Sequence, residues 1–266
     1  MVGSEGTLGV VTKATLKLQP LPRFNALMLA PFSSIEAACK SVSEVFKAGV
    51  MPSALEFMEK DALLLAQKFT ENYDLNVDSE AYLLIEVDGF YEEELMPQCE
   101  KILYVLEANN CGEVLFANST SEKEKLWFLR RRVGEAVKSE SVYKEEDTVV
   151  PRAELPKLMK AVKAIGGEYG FRSICYGHAG DGNLHINILK DNLSDEFWSK
   201  DLPKAIRKLF KEVANLKGTL SGEHGIGLVQ AAYLDVVLSS DQINIMKSLK
   251  SALDPTGILN PGKIFS

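Results

Sequence analysis

Tyr176-Gly-His178-Ala-Gly-Asp181-Gly182-Asn-Leu-His185-Ile-Asn187-Ile188 is the stretch that decides the fold. Asp-Gly is a strong hairpin signal, because a two-residue type I′ turn needs positive φ at both central positions. Placing Asp181-Gly182 in the turn makes Gly180 face Asn183, Ala179 face Leu184 and His178 face His185. Directly opposed residues of an antiparallel pair share a face, with Cβ atoms about 4.5–5.5 Å apart. Tyr176 and Asn187 form the next pair on that face. Leu184, Ile186 and Ile188 point the other way and pack against helices. The hairpin thus has one polar face and one core face. A longer turn would shift the register and undo the facing of the two histidines.

Outward from this hairpin, strands and helices alternate. The pattern predicts strands at 24–30, 54–58, 81–87, 113–117, 172–176 and 184–189. It predicts helices at 34–48, 61–69, 91–107, 121–139, 154–165, 194–216 (broken at Pro203) and 240–253. Ser33 or Ser34 caps the first helix. Strands that are half apolar and half polar point to an antiparallel sheet with helices on one side, an α+β fold. Val10–Leu18 alternates β-branched and polar residues and reads as a further strand. Gln19-Pro-Leu-Pro-Arg23 is the candidate linker, since its prolines resist both helix and central strand. Gly3-Ser-Glu-Gly6-Thr-Leu-Gly9 reads as a tight loop, and a chain beginning there is expected to start inside a domain of a larger protein.

Composition narrows the function. The 266 residues are 46% hydrophobic, enough for a sizeable core, and carry a net charge of -7. Such a balance argues against nucleic acid or an acidic membrane surface as the main partner. No apolar run reaches the roughly 18 residues of a membrane span, and no signal segment opens the chain. Cys39, Cys99, Cys111 and Cys175 form no CxxC pair, so they read as reduced residues of a cytoplasmic protein. The only three histidines fall between residues 178 and 224.

Leu220-Ser-Gly222-Glu223-His224-Gly225-Ile-Gly227 supplies the third histidine, beside a glutamate between glycines. Two histidines and one glutamate form a catalytic zinc set that leaves a position open for substrate. The remaining histidine suits a general base, since imidazole titrates near neutrality. Taken singly, a histidine in a strand is more often a structural residue than a ligand; it is the convergence that argues for a site. The residue types exclude sulfur-ligated metals but do not separate zinc, manganese, iron and cobalt. Arg130-Arg131-Arg132 lies on the 121–139 helix. It reads either as a solvated basic patch or as the source of one arginine that clamps a carboxylate.

Val2-Gly-Ser-Glu-Gly-Thr-Leu-Gly9, Ala54-Leu-Glu-Phe-Met58, Gly177-His-Ala-Gly-Asp-Gly-Asn-Leu-His185, Gly222-Glu-His-Gly-Ile-Gly227 and Leu253-Asp-Pro-Thr-Gly-Ile-Leu-Asn-Pro-Gly-Lys263 occur in this order. Together they resemble the C-terminal half of FAD-linked 2-hydroxyacid dehydrogenases of the vanillyl-alcohol-oxidase type. That group includes glycolate oxidase FAD subunits and D-lactate and D-2-hydroxyglutarate dehydrogenases. The resemblance implies a ferredoxin-like cap domain at 23–253, a remnant of the FAD-binding domain at 1–22 and a tail at 254–266 returning to it. It implies His178, His185 and Glu223 as ligands of a divalent metal, zinc foremost, and His224 as the base. Arg130 and Asn187 would bind substrate. Ser4, Glu5, Gly6, Thr7 and Asn260 would lie at the FAD. The substrate would pass a hydride from C2 to the flavin, whose redox chemistry the protein positions.

Hydroxyglutarate-type members place a threonine where this chain has Gly134, and a lysine near Lys144 or Glu145. These departures favour a small acid, glycolate or D-lactate. Most of the FAD domain of such enzymes is not in this sequence, so the chain alone is expected to bind FAD weakly or not at all. An upstream FAD-binding domain, a second copy or other oxidase subunits are the expected partners. The competing readings are a stand-alone metal-dependent hydrolase or metal-binding domain, and a noncatalytic assembly domain.

Overall fold

The computed structural model describes residues 1–70 and 75–265; Ser266, the end of the expected tail, lies outside them. Seven strands form one sheet: β1 (Phe24–Phe32), β2 (Ala54–Glu59), β3 (Ala81–Gly89), β4 (Leu115–Ala117), β5 (Tyr143–Val149), β6 (Arg172–Gly177) and β7 (Asn183–Leu189). Their order is β4-β1-β3-β2-β6-β7-β5, and every neighbouring pair is antiparallel. Seven helices join them: α1 (Ile35–Lys47), α2 (Lys60–Thr70), α3 (Leu95–Ala108), α4 (Thr120–Glu140), α5 (Leu155–Tyr169), α6 (Leu202–Asn215) and α7 (Ser240–Leu253).

The order resolves into two units. β1-α1-β2-β3-α3-β4 follows the ferredoxin-like βαββαβ path, and β5-α5-β6-β7-α6 repeats most of it. The two join edge to edge where β2 meets β6, through Phe57 opposite Gly177 and Met58 opposite Tyr176. The motifs do not repeat between the units, so the pattern of residues gives no sign of the duplication.

Both faces of the sheet are buried. Met28, Phe57, Leu83, Ile85, Cys175, Leu184, Ile186 and Ile188 pack with α1, α3, α5 and α6. This is the expected helical layer. Leu27, Leu29, Met58, Leu84 and Ile174 face the other way and are covered by α2 and α4. Helices therefore lie on both sides, because β1, β2 and β3 carry apolar residues at successive positions rather than at alternate ones.

Local chemistry explains the boundaries. Ser34 caps α1 by accepting from the Ala37 amide. Ser119 and Glu122 form a capping box for α4. Residues 195–201 are already helical, with a π turn at Phe197–Asp201, and Pro203 follows it in the first turn of α6, so the helical stretch expected over 194–216 changes its winding just before the proline. β5 has no strand signature of its own, since Tyr143-Lys-Glu-Glu-Asp147 reads as a charged loop. The predicted strand at Val10–Leu18 does not form. Its alternating residues find no ladder partner, and Val10, Val11, Leu16 and Leu18 are exposed. No helix among the described residues is long and apolar enough to cross a membrane. The four cysteines are free.

The histidine hairpin has a longer turn than expected. Tyr176, not His178, pairs with His185. The amides of Asp181 and Asn183 both donate to the carbonyl of His178, closing one turn of 3-10 helix before Gly182. The register therefore moves by two residues. An even shift leaves every side chain on its face, so Tyr176, His185 and Asn187 still share the polar side. Gly182 permits this turn: its φ is +78°, and a Cβ would stand 2.0 Å from the Val150 carbonyl oxygen.

Gly182→Ala is expected to destabilise the fold by about 2 kcal/mol or more, through left-handed strain and this clash. Gly167→Ala in α5 meets nothing within 4 Å, and should be neutral or stabilising by up to about 1 kcal/mol. Urea unfolding of both variants checks the contrast; equal effects would refute it.

Candidate metal and substrate site

The polar face of β5, β6 and β7 lies beyond the apolar ground covered by α2. Glu145 faces Asn187, and Asp147 faces His185, which in turn faces Tyr176. α4 crosses above them. Its apolar stripe of Leu126, Leu129, Val133 and Val137 packs into the core. Arg130, Gly134 and Lys138, spaced by four, fall on the turn of the helix that meets the polar face. Arg130 lies over the Tyr176 ring, 5.4 Å from its centroid, and Lys138 pairs with Glu145 at 2.9 Å. A Cβ at Gly134 would come 3.2 Å from the Tyr176 hydroxyl, so glycine lets this helix approach.

The loop 221–227 brings Glu223 and His224 to the same place. Asp147 holds it: one carboxylate oxygen accepts the amides of Gly222, Glu223 and His224 at 2.9, 2.7 and 2.9 Å. Its other oxygen accepts from the Asn183 side chain at 2.6 Å. At the far end of the loop, the Glu5 carboxylate accepts the amides of Ile226 and Gly227 at 2.6 and 2.7 Å. Gly222 has no room for a side chain, since a Cβ would lie 2.2 Å from the Asn183 amide nitrogen.

The three histidines and Glu223 converge here. The His185 and His224 rings stack with centroids 5.3 Å apart, and the His178 ring stands 6.2 Å from His185. His178 Nε2 is 3.3 Å from Glu223 Oε1. Ligand atoms of His178, His185 and Glu223 all lie within 4.8 Å of one another, and so do those of Glu145, His185 and His224. Two ligands at about 2.0–2.1 Å from a tetrahedral zinc are separated by roughly 3.3 Å, so the His178–Glu223 spacing fits one ion. His185 Nδ1 is buried with no hydrogen-bond partner and lies 3.5 Å from Glu145.

Asn187 is fully enclosed, and its amide oxygen and nitrogen make no well-formed hydrogen bond. Burial pushes the Tyr176 hydroxyl up, while nearby Asn187 pulls it the other way. Burial also depresses the His185 imidazole, against the pull of Asp147 and Glu145. This favours the neutral ring that a metal needs. The hydrogen bond to Glu56 raises His178 despite its desolvation. Asp147 is opposed by burial, yet the His224 and Glu223 amides and Asn183 hold it below the usual carboxylate range.

The expected residues are placed as follows. His178, His185, Glu223 and His224 form one cluster, with Asn187 on its floor. Arg130 reaches it, but its Nε and Nη2 are both committed to Glu56, at 3.1 and 2.7 Å. Glu5 and Asn260 are joined to each other, the Asn260 amide donating to the Glu5 carbonyl at 2.5 Å. Gly6 lies beside Asn260, and the Thr7 hydroxyl donates to the Ser4 carbonyl. Sequence reasoning assigned no role to Glu56, Lys138 or Asp147, and saw Glu145 only as a departure from a lysine. The available signal for Glu56 was a lone charge in the apolar run 54–58.

The two ferredoxin-like units, with the histidine hairpin and the Gly222–Gly227 loop, place this chain in a class of flavoprotein domain. It belongs to the family described as FAD linked oxidases, C-terminal domain, which matches residues 21–264. Among its relatives, the glycolate oxidase subunit GlcD of Bacillus subtilis (strain 168) is 37% identical, over 100% of this chain and 56% of that protein. A D-lactate dehydrogenase of Anaerostipes hadrus is 35% identical, over 99% and 57%. A D-2-hydroxyglutarate dehydrogenase of Stutzerimonas stutzeri (strain A1501) is 33% identical, over 100% and 58%. The chain thus spans little more than half the length of these relatives. Of solved structures, p-cresol methylhydroxylase with substrate bound shares the fold, with a TM-score of 0.66 at 12% identity over 92% of this chain and 53% of that one.

Asp147→Asn keeps the shape but removes the charge that three amides and the Ser221 hydroxyl address. It is expected to cost about 2 kcal/mol at pH 7. A carboxyl with a depressed folded pKa stabilises above its unfolded value, near about 3.9, and loses that contribution as pH falls through the folded value. The difference between variant and parent should therefore shrink below about pH 4. Urea unfolding at pH 7 and at pH 3 tests this; a constant difference would contradict it.

Proposed function

We propose that this chain is the substrate- and metal-binding part of an FAD-dependent dehydrogenase that oxidises a small D-2-hydroxy acid, glycolate or D-lactate, to the 2-oxo acid. The observation that carries the reading is the convergence of His178, His185, Glu223 and His224 beside the buried amide of Asn187. The names of the relatives support the reaction class, and the family match does not favour a stand-alone hydrolase.

His178, His185 and Glu223 would hold the divalent ion, which when bound supplies Lewis-acid polarisation of the substrate hydroxyl. His224 would take the hydroxyl proton. The chemistry that a flavin would supply when bound is acceptance of the C2 hydride. Asn187 would orient the substrate through its buried side-chain amide. Arg130 retains Nη1 to offer to the substrate carboxylate. Lys138 and Glu145 neutralise each other at the Asn187 end, so that Lys138 is not free there for a second carboxylate. Glu5 holds the His224 loop through its carboxylate. Residues 1–22 and 254–266 would accompany the flavin-binding half.

The test joins the chain to a flavin-binding half and follows flavin reduction by glycolate, D-lactate and D-2-hydroxyglutarate. The small acids should reduce the flavin best. Chelation should abolish the reaction and zinc or manganese restore it. His224→Ala should lower kcat about 10²–10⁴-fold. Failure of every 2-hydroxy acid would overturn the reading.

A further inference from the structure

Glu56 is one of two buried carboxylates on β2, the other being Glu59; it lies between Leu55 and Phe57 and is only 5% exposed. A buried charge needs partners, and Glu56 has two that differ. Oε2 accepts from Nε and Nη2 of Arg130. Oε1 lies 2.8 Å from His178 Nδ1. The opposite nitrogen of that ring, Nε2, is the one that lies 3.3 Å from Glu223. Glu56 sits one position beyond the short β2–β6 ladder, so the sheet itself delivers it to His178.

We propose that Glu56 is the positioning residue for His178: paired with Arg130, it accepts a hydrogen bond from the Nδ1–H of the neutral imidazole and so presents Nε2, unprotonated, to the ion shared with His185 and Glu223. This rests on the metal reading of the site. Both carboxylates beside the ring can only accept, and the shorter contact, 2.8 Å at Nδ1 against 3.3 Å at Nε2, favours the proton of a neutral His178 ring on Nδ1. A metal needs the lone pair on the other nitrogen. The Arg130 fork, fixed on Oε2, prevents Glu56 from turning its second oxygen away. Arg130 therefore acts at His178 through Glu56, besides what its remaining nitrogen does for substrate.

The experiment uses the full 266-residue chain and Glu56→Gln. Cobalt(II) titration, followed by visible absorption, is expected to show about 10–100-fold weaker binding in the variant. Nitrogen NMR of the metal-free protein above pH 8 should show His178 with its proton on Nδ1, and a loss of that preference in Glu56→Gln. Affinity unchanged within threefold in a folded variant would overturn the proposal, as would a His178 ring protonated on Nε2 in the unaltered chain. If the unaltered chain binds no cobalt, the metal reading fails, and the NMR result alone decides whether Glu56 sets the ring. Arg130→Lys keeps a charge without the fork and serves if Glu56→Gln does not fold. It should loosen cobalt and blur the tautomer in the same sense, and a result identical to the unaltered chain would count against the proposal.

Discussion

The carboxylate of Asp147 accepts from three successive backbone amides, those of Gly222, Glu223 and His224. A loop with glycines at 222, 225 and 227 has little conformational preference of its own, and ordering it costs more than ordering most segments. Charge-assisted hydrogen bonds to a 2%-exposed carboxylate are among the stronger polar contacts available. They convert a permissive loop into one whose Glu223 and His224 side chains have a defined direction. Because Asp147 faces His185 across the ladder, the same residue fixes the loop relative to the strand histidine. Glu5 then fixes the far end of the loop to the N-terminal segment, and Asn260 ties that segment to the tail. Segments at both ends of the chain are thus registered to the cluster through two carboxylates.

The second constraint is the seam between the two ferredoxin-like units. Only two residue pairs of β2 and β6 form the ladder there. β6 ends at Gly177, and beyond it the seam is spanned by side chains: Glu56 from one unit, His178 from the other, and Arg130 from α4. A buried ion pair such as Arg130–Glu56 is weak evidence for stability, because desolvation offsets most of the attraction. Its value here is geometric. It fixes two oxygens at a place where the sheet no longer supplies hydrogen bonds, and the fixed oxygens orient the ring beside them.

Some of this was legible in the residues and some was not, for physical reasons. The two faces of the hairpin were legible because alternation survives an even shift in register. The pairing of Tyr176 with His185 was not, since Asp-Gly is equally at home in a two-residue turn and at the end of a 3-10 turn. The histidine cluster was legible because the chain has so few histidines and each sits among glycines. Asp147 was not, because its partners are backbone amides 75 or more residues away, and amides leave no mark in a side-chain pattern. β5 escaped notice for the same reason: its charges look solvated until the strand beside it shows that Glu145 and Asp147 face inward. Val10–Leu18 shows the converse, a strand pattern without a strand, because alternation specifies faces and cannot supply a neighbour.

The electrostatic balance of the site bears on what it can bind. Glu56, Glu145, Asp147 and Glu223 face it, against Arg130 and Lys138, and both of these cations are already paired. An anionic substrate approaching such a surface meets net repulsion unless positive charge is added. Protonation of His178 adds one charge, and its hydrogen bond to Glu56 favours this. On the proposed reading, a divalent ion on His178, His185 and Glu223 would add two, at the point where a substrate hydroxyl and carboxylate would have to converge. The acid-rich lining would then have a purpose beyond holding the loop. It would make the site accept an anion only with the cation in place to receive it, so that binding of the acid and readiness for its oxidation would depend on the same ion.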